Sequence, residues 1–207
     1  MPPPPVVDVV SDVVCPWCYL GKRRLERALA ATGAMEVRWR PYQLDPAIPP
    51  EGRDRVAYMA AKFPDSSRLA EAQERLTTLG REVGIAFDFE AIRRAPNTLD
   101  AHRLIRFATQ VGVGDAMVER LFADYFERGR DIGDRAVLAQ AARDCGLGDV
   151  QPRLAGDEGL DGVRDEIEQA RRLGVEGVPF FIFAGKLAVS GAQSEDVFVA
   201  AIAQAAA

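Results

Sequence analysis

Residues 11–20 read SDVVCPWCYL and place two cysteines, Cys15 and Cys18, three positions apart. Residues 6–10, VVDVV, form a short β-branched run of the kind that becomes a buried strand. Residues 19–33 carry apolar side chains on one helical face and end in a glycine, which is typical of an amphipathic helix and its stop. The cysteine pair therefore lies where a predicted strand passes into a predicted helix.

The rest of the chain divides into a helical block and a second β segment. Residues 35–44 alternate apolar and polar side chains, which predicts a second strand. Residues 52–173 show only helical periodicity, in stretches that begin at capping residues such as Asn97 and end at glycines. Residues 178–192 hold two apolar runs joined by a turn that contains glycine, which predicts a hairpin, and residues 194–207 predict a last helix.

The order of these elements, β-α-β, helical block, β-β-α, predicts an α/β protein in two parts. Residues 1–51 and 174–207 would form one domain that contains both β segments, and residues 52–173 would form a helical insertion domain. The pattern alone does not establish that the two β segments share one sheet. A hairpin by itself is only marginally stable, however, and we therefore expect the two segments to pair.

Composition and charge argue against several classes of function. The chain of 207 residues is 48% hydrophobic, enough for a sizeable core, and its formal net charge of −5 gives no general attraction to nucleic acid or to acidic membrane surfaces. No apolar stretch approaches the length of a membrane span, and the N-terminal MPPPPVVDVV lacks the basic start and the long apolar run of a signal peptide. We therefore expect a cytoplasmic protein without nucleic-acid or membrane partners.

The position of the cysteine pair suits thiol chemistry. If the helix begins near Pro16, the proline occupies the first turn, where its missing N–H is not needed, and Cys15 lies at the N-cap. Free backbone N–H groups and the positive end of the helix dipole favour a thiolate there, which is the reactive form of cysteine. Cys18 follows one turn later, on the same side and within disulfide reach. The arrangement suits one thiolate that attacks a substrate disulfide and one thiol that resolves the mixed disulfide.

Three other uses of a close cysteine pair stay open at this point. A zinc site needs four ligands, but only Cys145 and His102 could complete it, and neither has a second ligand at the usual spacing. A structural disulfide across so short a loop would add little stability. A pair without any role is less expected at a junction between a strand and a helix. We therefore expect no metal, and a reducing cytosol favours a catalytic pair over a structural one.

A valine–proline pair, Val178 and Pro179, begins the second β segment. Proline is tolerated at the first residue of a strand and little further in. A cis peptide bond is one use of such a position, and a plain strand start is the other.

Taken together, these segments resemble the DsbA family of thioredoxin-fold proteins over nearly the whole chain. The resemblance rests on CPWC (15–18) after the first strand, GVPFF (177–181) before the hairpin and the helical block between them. The stretches PNTLDAHRLIRFA (96–108), YFERGRDIGD (125–134) and SGAQSEDVF (190–198) are also similar to a cytoplasmic, FrnE-like branch of that family. The resemblance implies a thioredoxin-like fold (β-α-β … β-β-α) with a large all-helical insertion.

The resemblance also implies roles for particular residues. Cys15 would be the nucleophile and Cys18 the resolving thiol. Pro179 would be the cis-proline that faces the CxxC motif, and backbone groups of Val178 would pair with an extended substrate. A Pro-Trp dipeptide stands between the cysteines where strongly oxidising relatives have Pro-His, and we therefore do not assume a strongly oxidising pair.

The expected function is that of a cytoplasmic thiol–disulfide oxidoreductase or disulfide isomerase acting on a thiol or disulfide protein or on a small molecule. The FrnE-like branch is related to 2-hydroxychromene-2-carboxylate isomerases and kappa-class glutathione transferases, which typically use a serine, with glutathione, where this chain has Cys15. A glutathione-dependent isomerase or transferase for a small aromatic substrate is therefore the alternative, and a non-catalytic zinc- or partner-binding module is a third class. We expect no cofactor beyond the redox-active disulfide, and leave open both glutathione as a co-substrate and a homodimer.

Five further residues were considered for a role at or near the site. Asp12 would oppose a nearby thiolate, pass a proton to the resolving thiol or bind nearby backbone. His102, with Asn97 in the helical block that the resemblance places over the CxxC motif, would support the site or pack between helices. Trp17 is expected to be an exposed aromatic residue at the mouth of the site, where it can contact substrate. Cys145 is expected to be a buried inert thiol rather than a regulatory partner of the pair.

Overall fold

The computed structural model describes residues 5–33 and 35–206, which form six strands and nine helices. The strands are β1 (Val6–Ser11), β2 (Glu36–Pro41), β3 (Arg53–Asp54), β4 (Arg94–Ala95), β5 (Phe180–Phe183) and β6 (Leu187–Ser190). The helices are α1 (Pro16–Thr32), α2 (Arg55–Lys62), α3 (Ser66–Glu82), α4 (Leu99–Gln110), α5 (Gly114–Phe126), α6 (Arg135–Asp144), α7 (Gln151–Ala155), α8 (Leu160–Arg172) and α9 (Glu195–Ala206). None of these helices is long and apolar enough to span a membrane.

The chain divides into two units. The first, the sheet unit, consists of Met1–Leu44 and Asp165–Ala207, and the second, the helical unit, consists of Asp45–Arg164. The predicted domain boundaries, after residues 51 and 173, lie further along the chain than both of these divisions. The C-terminal turns of α8 fall in the sheet unit because they pack into one of its apolar clusters.

The two β segments share one sheet, which confirms the expected pairing. The strand order is β2-β1-β5-β6, with β1 and β2 parallel and the other two pairs antiparallel. Val9 of β1 lies opposite Trp39 on one side and Phe181 on the other. The predicted hairpin is present, and a turn at residues 184–186 joins β5 to β6. Because β1 is a central strand, α1 starts in the middle of the sheet at the carboxyl end of that strand.

The main core of the sheet unit is formed by the sheet and by helices α1 and α9. Buried valines of β1 and phenylalanines of β5 pack there with Leu25 and Ala28 of α1 and with Phe198 of α9. The Phe198 ring meets the Phe181 ring edge-on, with their centroids 4.6 Å apart. Fully burying one such side chain stabilises a fold by about 1.5–3 kcal/mol. The buried face of α1 is therefore the apolar face that the periodicity of residues 19–33 predicts.

The helical unit is not wholly helical, and the prediction for residues 52–173 is wrong in this respect. Arg53 and Asp54 pair antiparallel with Ala95 and Arg94 in a two-residue ladder. A ladder of this length shows no alternation in the sequence, and periodicity therefore does not reveal it. Helices α2 and α7 are also absent from the prediction, because eight and five residues are too few to show a clear apolar repeat.

Helix α4 begins one residue later than the Asn97 cap predicts. Thr98 is the N-cap residue, and its side chain makes no capping hydrogen bond. Asn97 instead accepts a hydrogen bond through Oδ1 from the Leu99 N–H at 2.9 Å and donates through Nδ2 to the Ile48 carbonyl at 2.6 Å. The capping prediction is wrong because asparagine also bonds the backbone two residues on in a turn, and that turn precedes the helix.

Helices α4, α5 and α6 enclose the apolar core of the helical unit, whose buried side chains include those of Leu104, Phe107, Leu121, Phe122 and Leu138. Two charged side chains, Arg103 and Asp124, are buried in the same unit. A buried charge is unfavourable unless it is paired. Asp124 is paired with Arg120 at 2.8 Å and with Arg128 at 2.9 Å. These ion pairs therefore belong to the architecture of the helical unit.

Candidate active site

Cys15 lies at the N-terminus of α1, as the sequence predicts. It is the N-cap residue, with φ −95° and ψ 111°, and Pro16 follows in the first helical turn. Its N–H donates to the Asp12 carbonyl at 2.9 Å, and its carbonyl accepts from the Cys18 N–H at 3.0 Å. The Cys15 residue therefore occupies the helix end at which unpaired backbone N–H groups favour a negative charge.

A residue far along the chain lies next to the Cys15 sulfur. The Cys15 thiol donates a hydrogen bond to the carbonyl oxygen of Val178, with 3.5 Å between sulfur and oxygen. The peptide bond between Val178 and Pro179 is cis, as the resemblance implies. These residues directly precede β5, which pairs with β1. The sheet thus brings the second β segment to the cysteine pair that follows the first.

Cys18 is the more deeply buried of the two thiols, with 1% of its surface exposed against 4% for Cys15. Burial raises the pKa of the Cys18 thiol well above its usual range, and the hydrogen bond and charge of Cys15 raise it further. The Ser11 hydroxyl and the backbone of Asp12 lower the pKa of Cys18. Cys18 is therefore protonated at neutral pH. The part of its pKa shift that comes from the Cys15 charge ends once the Cys15 sulfur is bonded to another sulfur.

Asp12 lies beside the pair, but its carboxylate has a backbone partner. The residue is 1% exposed, and its Oδ2 accepts a hydrogen bond from the Leu44 N–H at 2.8 Å. This bond ties the turn after β1 to the segment that follows β2. This hydrogen bond supports the interpretation that Asp12 holds nearby backbone in place. A role for Asp12 in passing a proton to Cys18 stays a hypothesis.

A comparison with protein families identifies the family to which the chain belongs. The family model of the DSBA-like thioredoxin domain matches residues 6–203. The chain belongs to the DsbA-like thioredoxin family. Its β-α-β and β-β-α segments, joined in one sheet, and the helical segment between β2 and β5 confirm the predicted fold class.

Three solved structures illustrate the range of proteins that share the DsbA-like fold. A probable DsbA oxidoreductase from Streptomyces coelicolor is 33% identical, with a TM-score of 0.89 over 97% of this chain and 89% of its own. A 2-hydroxychromene-2-carboxylate isomerase is 17% identical, with a TM-score of 0.75 over 96% and 95% of the two chains. The cytosolic disulfide reductase DsbM from Pseudomonas aeruginosa is 19% identical, with a TM-score of 0.66 over 96% and 97%, and is also known with glutathione. The second and third similarities concern the fold alone.

Gly21 is a residue of this DsbA-like site that the sequence reasoning missed. It lies on α1, and a Cβ at this position would be 3.0 Å from Cζ of Phe181 and 3.2 Å from Cγ of Pro179. Contacts this short leave room only for a hydrogen atom unless the neighbours move. The sequence does carry a signal, because a glycine inside an amphipathic helix is unfavourable by about 1 kcal/mol relative to alanine and usually has a packing reason.

Three other residues, Trp17, His102 and Asn97, were also predicted to belong to the site. Trp17, in the first turn of α1, is half-buried rather than exposed. His102 is 4% exposed on α4 of the helical unit, and Asn97 bonds backbone groups ahead of the same helix. The substrate-binding role of Trp17 and the supporting roles of His102 and Asn97 stay predictions.

Cys145 is partly exposed, and the prediction of a buried thiol is wrong because α6 ends there and Cys145 is its C-cap residue. Its Sγ lies 3.8 Å from the Ala116 carbonyl oxygen. Partial burial raises the pKa of the Cys145 thiol, which lowers the thiolate fraction and hence its reactivity. Across residues 5–33 and 35–206, no group of three or more His, Cys, Asp or Glu side chains is placed to hold a metal ion.

Proposed function

We propose that this chain is a thiol–disulfide oxidoreductase that works through a mixed disulfide on Cys15. The observation that carries the proposal is the position of Cys15, at the N-terminus of α1, with Cys18 one turn on and the Val178 carbonyl oxygen 3.5 Å from its sulfur. The helix end stabilises a thiolate at that position, and the thiolate is the form that attacks disulfides.

The proposed reaction balances with the two cysteines and the substrate alone. The Cys15 thiolate attacks one sulfur of a substrate disulfide, so that a Cys15–substrate bond forms, the substrate S–S bond breaks and one substrate thiolate leaves. Cys18 then attacks the Cys15 sulfur, the mixed bond breaks and the second substrate thiolate leaves. The substrate has gained two electrons, and the cysteine pair has become a disulfide. The reverse sequence oxidises a dithiol substrate.

The different environments of the two thiols support this division of roles. Cys18 is less exposed than Cys15 and has a raised pKa, and a protonated thiol is a poor nucleophile. A substrate disulfide therefore meets Cys15 first. Formation of the mixed disulfide removes the charge of Cys15, which is one of the causes that hold the Cys18 proton in place.

The proposed reaction partners are thiol or disulfide proteins and small thiols such as glutathione, in the cytoplasm. Three cysteines are too few for the disulfide framework of a secreted domain. The structural neighbour DsbM is a cytosolic disulfide reductase and is known with glutathione. A place in the FrnE-like branch belongs to the same proposal and rests on the sequence resemblance alone, whereas a homodimer stays an untested prediction.

A glutathione-dependent isomerase or transferase acting on a small aromatic molecule is the second candidate. The fold similarity to 2-hydroxychromene-2-carboxylate isomerase favours it. Such an enzyme would use the group at position 15 and would have no need of a resolving thiol one turn later. The presence of both Cys15 and Cys18 therefore favours dithiol exchange.

A redox titration tests the proposed function. In a Cys145→Ser background, equilibration with glutathione buffers and labelling of free thiols should reveal one reversible intramolecular disulfide. We expect its potential to lie between about −120 and −270 mV, the span of known thiol–disulfide enzymes. Cys18→Ser in the same background is the control, since it cannot form that disulfide. If no intramolecular disulfide forms even under strong oxidation, dithiol exchange is wrong and the glutathione-dependent candidate takes its place.

Gly21 provides a prediction about substrate binding. In Gly21→Ala the new methyl group would push Pro179, and with it the Val178 backbone, away from the reactive sulfur, while the gain in helix propensity offsets part of the strain. We expect KM for a protein disulfide to rise several-fold in steady-state kinetics, with the protein still folded. The matched control is Gly162→Ala in α8, where the new Cβ would meet only the end of the Arg106 side chain. Equal KM values for Gly21→Ala and the wild type would contradict the prediction.

A further inference from the structure

Residues 191–193 form a loop that leads from β6 toward α9 and has no role in the proposed mechanism. Hydrogen bonds within this segment fix its shape. The Gln193 N–H donates to the Gly191 carbonyl at 2.9 Å, and the Gln193 side-chain amide donates to the Ser190 carbonyl at 2.8 Å. Gly191 has a φ of 81°, in the left-handed region that favours glycine. The 191–193 loop is therefore a compact turn.

The 191–193 loop is hydrogen-bonded to Pro179. The Gly191 N–H donates to the Pro179 carbonyl at 2.8 Å. Phe180 lies opposite Ser190 in the ladder between β5 and β6, and this bond extends that ladder by one step. Because proline has no N–H, its carbonyl is the only backbone group of Pro179 that can join the ladder. A shift of the 191–193 loop would therefore shift Pro179.

Arg24 of α1 binds the 191–193 loop from the other side. Its Nη1 donates to the Ala192 carbonyl at 2.8 Å and to the Gln193 carbonyl at 3.3 Å. Hydrogen bonds from a charged donor are stronger than those from a neutral one. Arg24 lies one turn after Gly21, which packs against Pro179. Helix α1 thus holds Pro179 directly at Gly21 and indirectly through Arg24 and the loop.

The Val178–Pro179 segment lies beside the position that a bound substrate must occupy. The Val178 carbonyl oxygen is 3.5 Å from the Cys15 sulfur. A substrate sulfur that is bonded to Cys15 lies about 2 Å from that same sulfur. In a polypeptide substrate, the residues that flank the reacting cysteine therefore lie against this segment. A small disulfide reagent has no such flanking residues, and its reaction with Cys15 should not depend on the placement of the segment.

We propose that Arg24 is a positioning residue that holds the Val178–Pro179 segment in place for polypeptide substrates by way of the 191–193 loop. The inference rests on the proposed oxidoreductase function and extends it to the binding of a polypeptide disulfide. It adds no covalent step, so the balance of electrons and protons is that of the exchange between the cysteine pair and the substrate. Arg24 acts through its hydrogen bonds to the loop.

A comparison of two substrates tests the role of Arg24. In a Cys145→Ser background, with an excess of a reducing thiol as electron donor, we expect Arg24→Met to raise KM for insulin by about threefold to tenfold and to leave kcat within about a factor of two. The rate constant for attack of the reduced protein on a chromogenic aryl disulfide should also stay within about a factor of two. Arg172→Met, at an exposed position of α8, is the matched control and should leave KM unchanged.

Two further measurements separate positioning from charge attraction and from general destabilisation. The rise in KM should persist in about 0.5 M salt, which screens attraction between exposed charges. Hydrogen exchange at the Gly191 amide, followed by NMR, should accelerate in Arg24→Met, while the amides of β1 keep their exchange rates. Arg24→Lys keeps a charged donor but loses the planar fork, and both its KM and its exchange rate at Gly191 should lie between those of the parent and Arg24→Met.

Failure of this inference is distinguishable from failure of the proposed function. If the parent reduces insulin and Arg24→Met has the same KM, Arg24 has no positioning role and the oxidoreductase proposal stands. A rise in KM that disappears at high salt, or exchange that accelerates as much in β1 as at Gly191, also overturns the role of Arg24. If the parent reduces neither disulfide and forms no intramolecular disulfide, both proposals are wrong.

Discussion

Replacing Cys18 with serine is expected to stop the reaction at a covalent complex between Cys15 and the substrate. Serine keeps the size of the side chain, but its hydroxyl is far less nucleophilic than a thiolate and cannot resolve the mixed disulfide. In a Cys145→Ser background, Cys15 is then the only thiol of the chain. Incubation with a disulfide-containing protein should give a stoichiometric adduct, visible on a non-reducing gel and by mass spectrometry, that a reducing agent releases. Turnover should fall to the background rate.

Replacing Cys15 with serine should abolish both the adduct and the turnover. Cys18 cannot take over the attack, because it is 1% exposed and burial raises the pKa of its thiol. Cys145→Ser alone should leave the rate unchanged, since Cys145 belongs to the helical unit and is not one of the proposed reacting groups. Cys15→Ser and Cys18→Ser, both made in the Cys145→Ser background, therefore differ only in which thiol of the pair is lost, and Cys145→Ser is their common parent.

Two outcomes of this series would contradict the proposed mechanism. Adducts that form equally well on Cys15→Ser and Cys18→Ser would show that neither thiol has the assigned role. Full turnover in Cys18→Ser that depends on added glutathione would show that the second thiol is dispensable. That result would favour the glutathione-dependent candidate, in which only position 15 takes part.

The parts of the fold that could be predicted are those in which neighbouring residues carry a periodic signal. Three segments show this: the β-branched run before the cysteines, the apolar face of α1 and the apolar hairpin at residues 178–192. In each, the apolar residues that recur in the sequence pack into the core of the sheet unit. The placement of Cys15 at the N-cap follows in the same way, because Pro16 marks the first turn. The ladder between β3 and β4 has two residues a strand and shows no period, which is why it escaped prediction.

The parts of the site that could not be predicted depend on contacts between distant segments. Pro179 packs against Gly21 because β5 pairs with β1. These two residues are far apart in the sequence, and a pattern among neighbouring residues cannot predict a contact between them. Val178 and Cys15 could be connected from the sequence only through the family resemblance. Residue types and spacing thus predict the reacting groups, while the groups that position them need the folded chain.

The largest expected loss of stability follows from replacing Arg103, a buried cation in the helical unit. Its side chain is 2% exposed and makes five hydrogen bonds. One goes to the Asp100 carboxylate at 2.7 Å. The others go to four backbone carbonyls at the end of α7 and in the turn after it, those of Arg153, Leu154, Gly156 and Glu158. Arg103 thus supplies donors to the last carbonyls of α7, a helix of only five residues, and to the turn that follows it.

Arg103→Met keeps the length of the side chain but leaves these carbonyls and one oxygen of Asp100 without their donor. Breaking a buried pair by removal of one partner typically destabilises a protein by about 3–5 kcal/mol. We therefore expect a loss of that size in the free energy of unfolding, measured by urea denaturation followed by circular dichroism. Amide hydrogen exchange should accelerate most at residues 151–158, where the lost acceptors lie. Arg103→Lys should recover part of the loss, because an ammonium has three donors and no planar fork.

The matched control for this prediction is Arg172→Met in α8. Arg172 is 66% exposed, and among the residues that the structure describes it pairs only with Glu168 on its own helix, at 3.4 Å. Exposed ion pairs contribute little to the free energy of unfolding, because water and salt screen the charges and the long side chains lose entropy when they are held together. The same substitution should therefore leave the urea midpoint nearly unchanged at this position. If Arg103→Met is as mild as Arg172→Met, the five hydrogen bonds of Arg103 only offset the desolvation of its charge, and the helical unit derives its stability from the apolar core of α4, α5 and α6.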